Sequence, residues 1–348
     1  MTKDHENVSL PLSADDLDLV SGPKPFAADQ MVACGKCLRS NPPTRVNCLY
    51  CGAALPLNEA SLSLQKPTLR RLEKWELGYN NILIPSANAL ASLAEADLSA
   101  AADILKLSNE DLRRLIEAAE PIPVAQAATS DEATLVERRL ANLGLKTRVV
   151  ADAELGVSEN GSFTVRWMEL SETGFSASSG RDTKPIEISW SQLVLIVLGR
   201  IVSRRVELQE EKSSRQDDRI LDSSEFFSDE AVIELHVAGQ PRPFRISANN
   251  FDFSCLGQRK ALVAGENMKT MVQQFRESAP NAIVDDNYKS LRKLLEPVWP
   301  HEQQNASSGW RRERPGKYSV GSVTLKNNDN QFMRYSLLRA FLLREGQQ

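Results

Sequence analysis

Two short motifs near the start of the chain carry the residues best suited to chemistry. Cys34-Gly-Lys-Cys37 and Cys48-Leu-Tyr-Cys51 each put two thiols on one tight turn, with ten residues between them. Two such turns facing each other supply four soft sulfur ligands in a tetrahedron, the arrangement structural zinc prefers. Pro42-Pro43 between the pairs suits a short, stiff connection. With four protein ligands the ion keeps no position for water, so the expected role is to hold shape rather than to hydrolyse. Redox chemistry at one Cys pair is the competing use of the same residues. A unit this short needs its metal, whose binding is expected to supply most of its folding free energy.

On Cys34, Cys37, Cys48 and Cys51, the stretch 31–56 resembles the zinc ribbons found at the ends of many bacterial proteins. The resemblance implies one structural Zn2+ and a surface that binds protein, binds nucleic acid or caps a fold. Lys36, Arg39 and Arg45, with Tyr50 as a stacking face, are what a nucleic-acid partner would use. Solvated loop residues explain them equally well.

A second candidate lies far downstream. The run from Trp310 through Arg311, Arg312, Glu313, Arg314, Pro315 and Gly316 to Lys317 holds four cations and an aromatic in eight residues. It reads as an exposed basic loop, 309–317, from which Arg311, Arg312, Arg314 and Lys317 could contact phosphate or nucleic acid. No phosphate-binding loop, dinucleotide fingerprint, nucleophile elbow or His-Glu-x-x-His motif is present. Of the three histidines, His5 sits in a polar tail and His301 in an irregular stretch after Trp299-Pro300. His236 alternates away from Ile233, Leu235 and Val237 and is expected at the surface. Cys255, among Phe251, Phe253 and Leu256, reads as a small buried hydrophobe. Asp285-Asp286 reads as a helix cap.

The chain has 348 residues, 42 Lys+Arg against 46 Asp+Glu, and a net charge of −4. At roughly 100–200 residues per domain, two or three domains are expected. Hydrophobic content of 41% and charged content of 25% exclude collagen-like, coiled-coil and wholly disordered classes. The slight acidic excess gives no overall pull toward nucleic acid or anionic lipid, so binding at a membrane surface is not expected. The longest apolar run, 193–198, is far below the ~20 residues that span a bilayer. The polar N-terminal stretch does not resemble a signal peptide. Paired cysteines suggest a reducing compartment, so the expectation is a cytoplasmic protein.

The elements that must carry these residues follow from periodicity and punctuation. A short strand is expected at 81–85 and a helix at 87–98. Ser108 with Asp111, and Thr129 with Glu132, open two further helices as capping boxes. Strand 122–127, the Thr129 helix ended by Gly144, and strand 146–151 read as a βαβ unit with parallel strands. Beyond 153 the pattern is β-rich. Phe163, Val165 and Trp167 alternate with polar residues, and 193–202 fits a fully covered strand or a short buried helix. Residues 208–230 read as a charged, solvated loop. From Gly257 the pattern turns helical, with Met268, Met271, Val272 and Phe275 on one face, and a last helix runs through Leu337, Leu338, Phe341 and Leu342.

Two fainter resemblances accompany this. Glu132-Ala133, Leu140 and Gly144 make the βαβ unit similar to half of the C-terminal domain of the bacterial ribosomal stalk protein. That implies a small protein-interaction module. The stretch 185–297, with ISWSQLVLIVLGRI and then 251–257 leading into a helix, resembles bacterial relatives of the pleckstrin-homology fold. Such domains bind lipid through a basic loop cluster. Arg200, Arg204 and Arg205 are candidates here, but Glu207, Glu210 and Glu211 offset their field.

The expected organisation is α+β and multidomain. It comprises a disordered tail (1–30), a zinc ribbon (31–56), a linker (57–74), a small ferredoxin-like-half βαβ domain (75–152) and a β-rich, pleckstrin-homology-like domain with C-terminal helices (153–348). The expected function is a non-enzymatic adaptor that binds a protein partner. A nucleic-acid-binding factor using the ribbon and the 309–317 loop, or an enzyme with an unfamiliar site, are the competing expectations.

Overall fold

The computed structural model describes residues 26–346 except 44, 46, 47, 54, 57–68, 74, 87–89, 92, 158–160, 181, 182, 214–218, 315 and 316. The side chains of 210–213, 219, 221, 308–314 and 317–319 also lie outside the description. The expected tail over 1–30 and linker over 57–74 therefore fall mostly outside the described residues. The chain is mixed α/β and divides into two compact units, Met1–Lys66 and Pro67–Gln348.

In the first unit, β1 (Val32–Ala33) and β2 (Ser40–Asn41) pair antiparallel, Val32 opposite Asn41. The buried apolar set is Val32, Cys34, Cys48 and Leu55. Four such side chains, at ~1.5–3 kcal/mol each, cannot offset some 25 ordered residues at ~1–2 kcal/mol of backbone entropy apiece. The cysteines must carry the difference.

The second unit begins with β3 (Tyr79–Leu83), α1 (Glu95–Leu105), α2 (Asn109–Glu117), β4 (Pro123–Ala127), α3 (Ser130–Asn142), β5 (Thr147–Ala151) and α4 (Asp152–Leu155). Ser108 and Thr129 cap their helices as read. Ser108 Oγ accepts the Asp111 N–H at 3.0 Å and Thr129 Oγ1 the Glu132 N–H at 3.2 Å. Gly144 takes φ +86° just past α3, where a Cβ would be strained. The helix expected from 87 instead starts at Glu95. The two strands of the expected βαβ unit, β4 and β5, run parallel to each other with β3 between them: the order is β4-β3-β5, with β3 antiparallel to both. Helix α3 thus crosses over β3, and Asn81 of β3 donates to the Ala133 carbonyl of α3 at 2.9 Å.

The chain continues through β6 (Phe163–Val165), β7 (Trp167–Leu170), β8 (Gly174–Ser178), β9 (Ile186–Ser189), β10 (Leu193–Ser213), β11 (Arg219–Val237), β12 (Phe244–Ser247), α5 (Ala264–Ser278), β13 (Ile283–Asp285), α6 (Tyr288–Leu295), β14 (Glu302–Arg314), β15 (Lys317–Asn327) and α7 (Asp329–Gly346). Strands β7-β8-β9 form one sheet. The other runs β14-β15-β10-β11-β12-β6, with β13 beside β10. The pairs β6/β12 and β10/β13 are parallel. The apolar run at 193–198 is a strand covered on both faces. Leu195 and Val197 enter one core and Leu193 and Ile196 the other.

The charged loop expected at 208–230 is strand over 208–213 and 219–230, the rest of it lying outside the described residues. Residues 193–213 and 219–237 form one antiparallel hairpin, paired from Leu193–Val237 out to Glu211–Arg219. Backbone pairing makes a strand here without an apolar face, because β15 continues the ladder on the other side of β10. The basic loop at 309–317 is likewise strand on either side of 315–316, with Arg312 opposite Tyr318 and Arg314 opposite Lys317.

The core does not divide at 152. One cluster joins Ile82, Leu98, Leu112, Val124, Val136 and Val150 to Tyr288, Trp299, Phe332, Tyr335 and Leu338. Helix α7 is the shared wall. Its Phe332 crosses β10 at Gly199, where a Cβ would lie 2.2 Å from the Phe332 ring. Glycine is required there by contact rather than by backbone angle. The second core packs Met268, Met271 and Phe275 of α5 under Ile233, Leu235 and Phe244.

Candidate metal centre

Each Cys pair is built by the same backbone device. Leu38 N–H bonds to the Cys34 carbonyl at 2.8 Å, and Gly52 N–H to the Cys48 carbonyl at 3.0 Å. Within each turn a backbone N–H points at the first sulfur. Lys36 N donates to Cys34 Sγ and Tyr50 N to Cys48 Sγ, both at 3.4 Å. The buried Asn41 locks the second turn to β2. Its Oδ1 accepts the Leu49 N–H at 2.8 Å, and its Nδ2 donates to the Arg39 carbonyl at 2.8 Å and to Cys48 Sγ at 3.5 Å. Asn41 is a supporting residue that cysteine spacing alone does not reveal.

The ligand atoms of Cys34, Cys37, Cys48 and Cys51 all lie within 4.8 Å of one another. Cys34 Sγ is 3.6 Å from Cys51 Sγ, and Cys37 Sγ is 3.5 Å from Cys48 Sγ. A tetrahedron with metal–sulfur bonds near 2.3 Å has sulfur–sulfur edges of about 3.8 Å, so the cluster has the right size. Its electrostatics ask for a cation. The N–H groups of Cys37 and Lys36 hold the Cys34 thiol below its usual range. Burial pushes Cys48 up, but the Tyr50 and Cys51 N–H groups, with Cys37 and Asn41, bring it down to about 6. Cys37 receives the Arg39 N–H, yet burial and the three neighbouring sulfurs push it up to about 12. Four thiolates this close would need a positive ion between them. The four cysteines are thus positioned to bind a metal ion, and this is the site the spacing foretold.

The other candidates land elsewhere. Lys36, Arg39, Arg45 and Tyr50 are exposed on the first unit, with the Arg39 guanidinium 4.7 Å from the centre of the Tyr50 ring. Arg311, Arg312, Arg314 and Lys317 lie on β14 and β15 of the second unit. His236 is not at the surface. It is 8% exposed and its Nε2 lies 2.7 Å from Ser336 Oγ, because α7 covers that face of β11. Burial lowers its pKa to about 4 against the pull of Glu234. Asp285 accepts the Asn287 N–H at 3.0 Å at the start of α6, but it is also buried, accepts the Tyr335 hydroxyl at 2.8 Å and pairs with Arg339 at 2.5 Å. Cys255 is partly buried, which pushes its thiol up to about 11.

One buried polar network escaped the sequence reading altogether. Asp152, fully buried, accepts from Gly78 N at 2.8 Å, Asn80 Nδ2 at 2.9 Å, Gln126 Nε2 at 3.1 Å and the Arg334 guanidinium. Asn80 Oδ1 takes the Trp299 indole N–H at 3.0 Å. The network borders a cleft of about 660 Å³ whose walls include Arg71, Lys106, Gln126, Trp299 and Gln331.

No family model matches the chain, and neither the curated proteins nor the solved structures contain a match. No helix among the described residues is long and apolar enough to cross a membrane.

Proposed function

We propose that this chain is a non-enzymatic adaptor whose N-terminal zinc ribbon, held by one Zn2+ on Cys34, Cys37, Cys48 and Cys51, docks a protein partner in the cytoplasm. The observation that carries the reading is the closed donor set. Four thiols of one size-matched cluster occupy every tetrahedral position, which suits a shape-holding ion and leaves no seat for a reacting water. The choice of zinc follows from the all-sulfur tetrahedral donor set. In this reading the second unit is a frame. The stalk-like resemblance of 75–152 is supported by the strand–helix–strand order and by Gly144. The pleckstrin-homology-like resemblance is supported by a run of strands followed by α5.

A second reading, nucleic-acid binding, is favoured by the placement of Arg311, Arg312, Arg314 and Lys317 on two paired strands. It requires affinity that falls steeply with salt. The test captures partners with the intact chain and with the Cys48→Ser, Cys51→Ser variant, each with and without nuclease. Metal analysis of the intact chain should give one zinc per chain. Protein partners that survive nuclease and vanish with the variant support the adaptor. Partners equally retained by the variant remove the ribbon from the function. Recovery of nucleic acid, with loss of all proteins after nuclease, replaces the adaptor with the second reading.

A further inference from the structure

The two metal-binding turns share a backbone plan but differ at one position. In the second turn the residue after the last cysteine is Gly52, at φ +70°. In the first turn the corresponding residue is Leu38, at φ +59°. That left-handed conformation is unfavourable for a γ-branched L-residue and free for glycine. Leucine does not gain burial in exchange, since Leu38 is 80% exposed. Nor is it alone. Leu49 and Tyr50, on the other turn, are 50% and 56% exposed. The stacking of Arg39 on Tyr50 connects the outer surfaces of the two turns. A strained, exposed leucine where glycine would serve the fold better is an outlier that points to function.

From this we infer that Leu38, Leu49 and Tyr50 form the docking surface of the ribbon, and that its partner is an acidic peptide segment carrying apolar side chains. The apolar half of that description comes from the three exposed side chains. The acidic half comes from charge: residues 31–56 contain Lys36, Arg39 and Arg45 and no Asp or Glu, and all three cations are exposed. A nucleic-acid strand would satisfy the cations but would leave Leu38 and Leu49 against water, so the peptide fits more of the surface. The surface rests on the adaptor reading above and adds the chemistry of the partner.

Leu38→Gly separates the two roles of this position, because it relieves the backbone while removing the contact. The zinc-loaded full chain is panned against a displayed library of random 12-residue peptides. The enriched peptides are then synthesised and measured by fluorescence anisotropy, with a 12-nucleotide single-stranded DNA as a parallel probe. The expected result is enrichment of peptides rich in Asp or Glu together with Leu, Ile or Phe. Their affinity should fall at least tenfold with Leu38→Gly and with Tyr50→Ala, while zinc retention against a chromogenic chelator is equal or tighter for Leu38→Gly. Peptides that bind Leu38→Gly as well as the parent, but lose binding with Cys48→Ser, Cys51→Ser, overturn this surface and leave the ribbon adaptor standing. No enrichment, together with binding of the DNA probe, overturns both.

Discussion

His236 shows how one residue ties pH to stability. Its imidazole is buried between β11 and α7, with Ser336 on Nε2 and the charges of Glu234 and Arg344 nearby. Burial lowers its folded-state pKa to about 4 from the ordinary 6.5. The unfolded chain therefore binds the proton first. The neutral ring's contribution is complete above pH 6.5 and is lost as pH falls from 6.5 toward 4. A folded-state value near 4 against 6.5 corresponds to ~3 kcal/mol. Urea unfolding of the parent should weaken by up to that amount between pH 7 and 4, and His236→Gln should flatten that part of the profile. Asp152 makes a different case. Arg334→Met should cost ~3–5 kcal/mol, because the buried carboxylate loses its counter-ion. Asp152→Asn with Arg334→Met should recover part of the loss, since the charge itself is then gone. Denaturant titrations of both singles and the double variant provide the cycle. A double variant no more stable than Arg334→Met would show that the uncompensated charge was not the source of the loss.

At the level of elements, the long hairpins divide into a clamped base and an exposed extension. Near the base of β10–β11, Leu195, Ile196, Val197, Ile233 and Leu235 are buried between two cores. Beyond Ser203, the described side chains of both strands are exposed or only partly buried, and Ile220, Phe226 and Phe227 face solvent. Few buried contacts mean a low local opening energy. Amide exchange should therefore be fast through 203–213, 219–230, 303–314 and 317–323 and slowest at 195–197 and 233–235; equal protection along the hairpin would contradict this. The same division explains what could be read from sequence. Ser108, Thr129 and Gly144 were legible because a cap is decided by the residues beside it. Residues 208–213 and 219–230 were not, since their strand state comes from pairing, of β10 and β11 with each other and of β10 with distant β15, rather than from an apolar face. His236 was misread for a related reason. Alternation sorts a strand into two faces, but the cover on the second face is α7, supplied by residues 100 positions away. Asp285 likewise takes its hydroxyl donor from Tyr335, 50 positions on. The four cysteine ligands were legible because they are local and a metal ion's geometry dictates their spacing, whereas Asn41 was not.

For the whole molecule, the decisive element is the last one. Helix α7 packs on the α/β sheet through Arg334 and on β10 through Phe332, and it fills the shared core with Tyr335 and Leu338. A chain ending at Asn328 should lose the second unit as a folded body. Its circular dichroism should show no cooperative thermal transition, whereas metal binding by the first unit should persist. A cooperative transition near that of the parent would show that 75–152 folds without α7. The dependence also sets an order of events during synthesis. Asp152 is translated 182 residues before the guanidinium that neutralises it, and Asn80 is translated 219 residues before the indole that fills its carbonyl. At roughly 5–20 residues per second, the first of these gaps lasts about 10–40 s. For that interval the nascent chain carries an unfinished sheet with an unpaired buried-type carboxylate and an open apolar wall. The four-cysteine unit can close on a metal ion meanwhile, as its ligands have all emerged. A ribosome stalled before the final helix would thus display a finished metal knot tethered to an unfinished body, a form that chaperones would hold and proteases would clear.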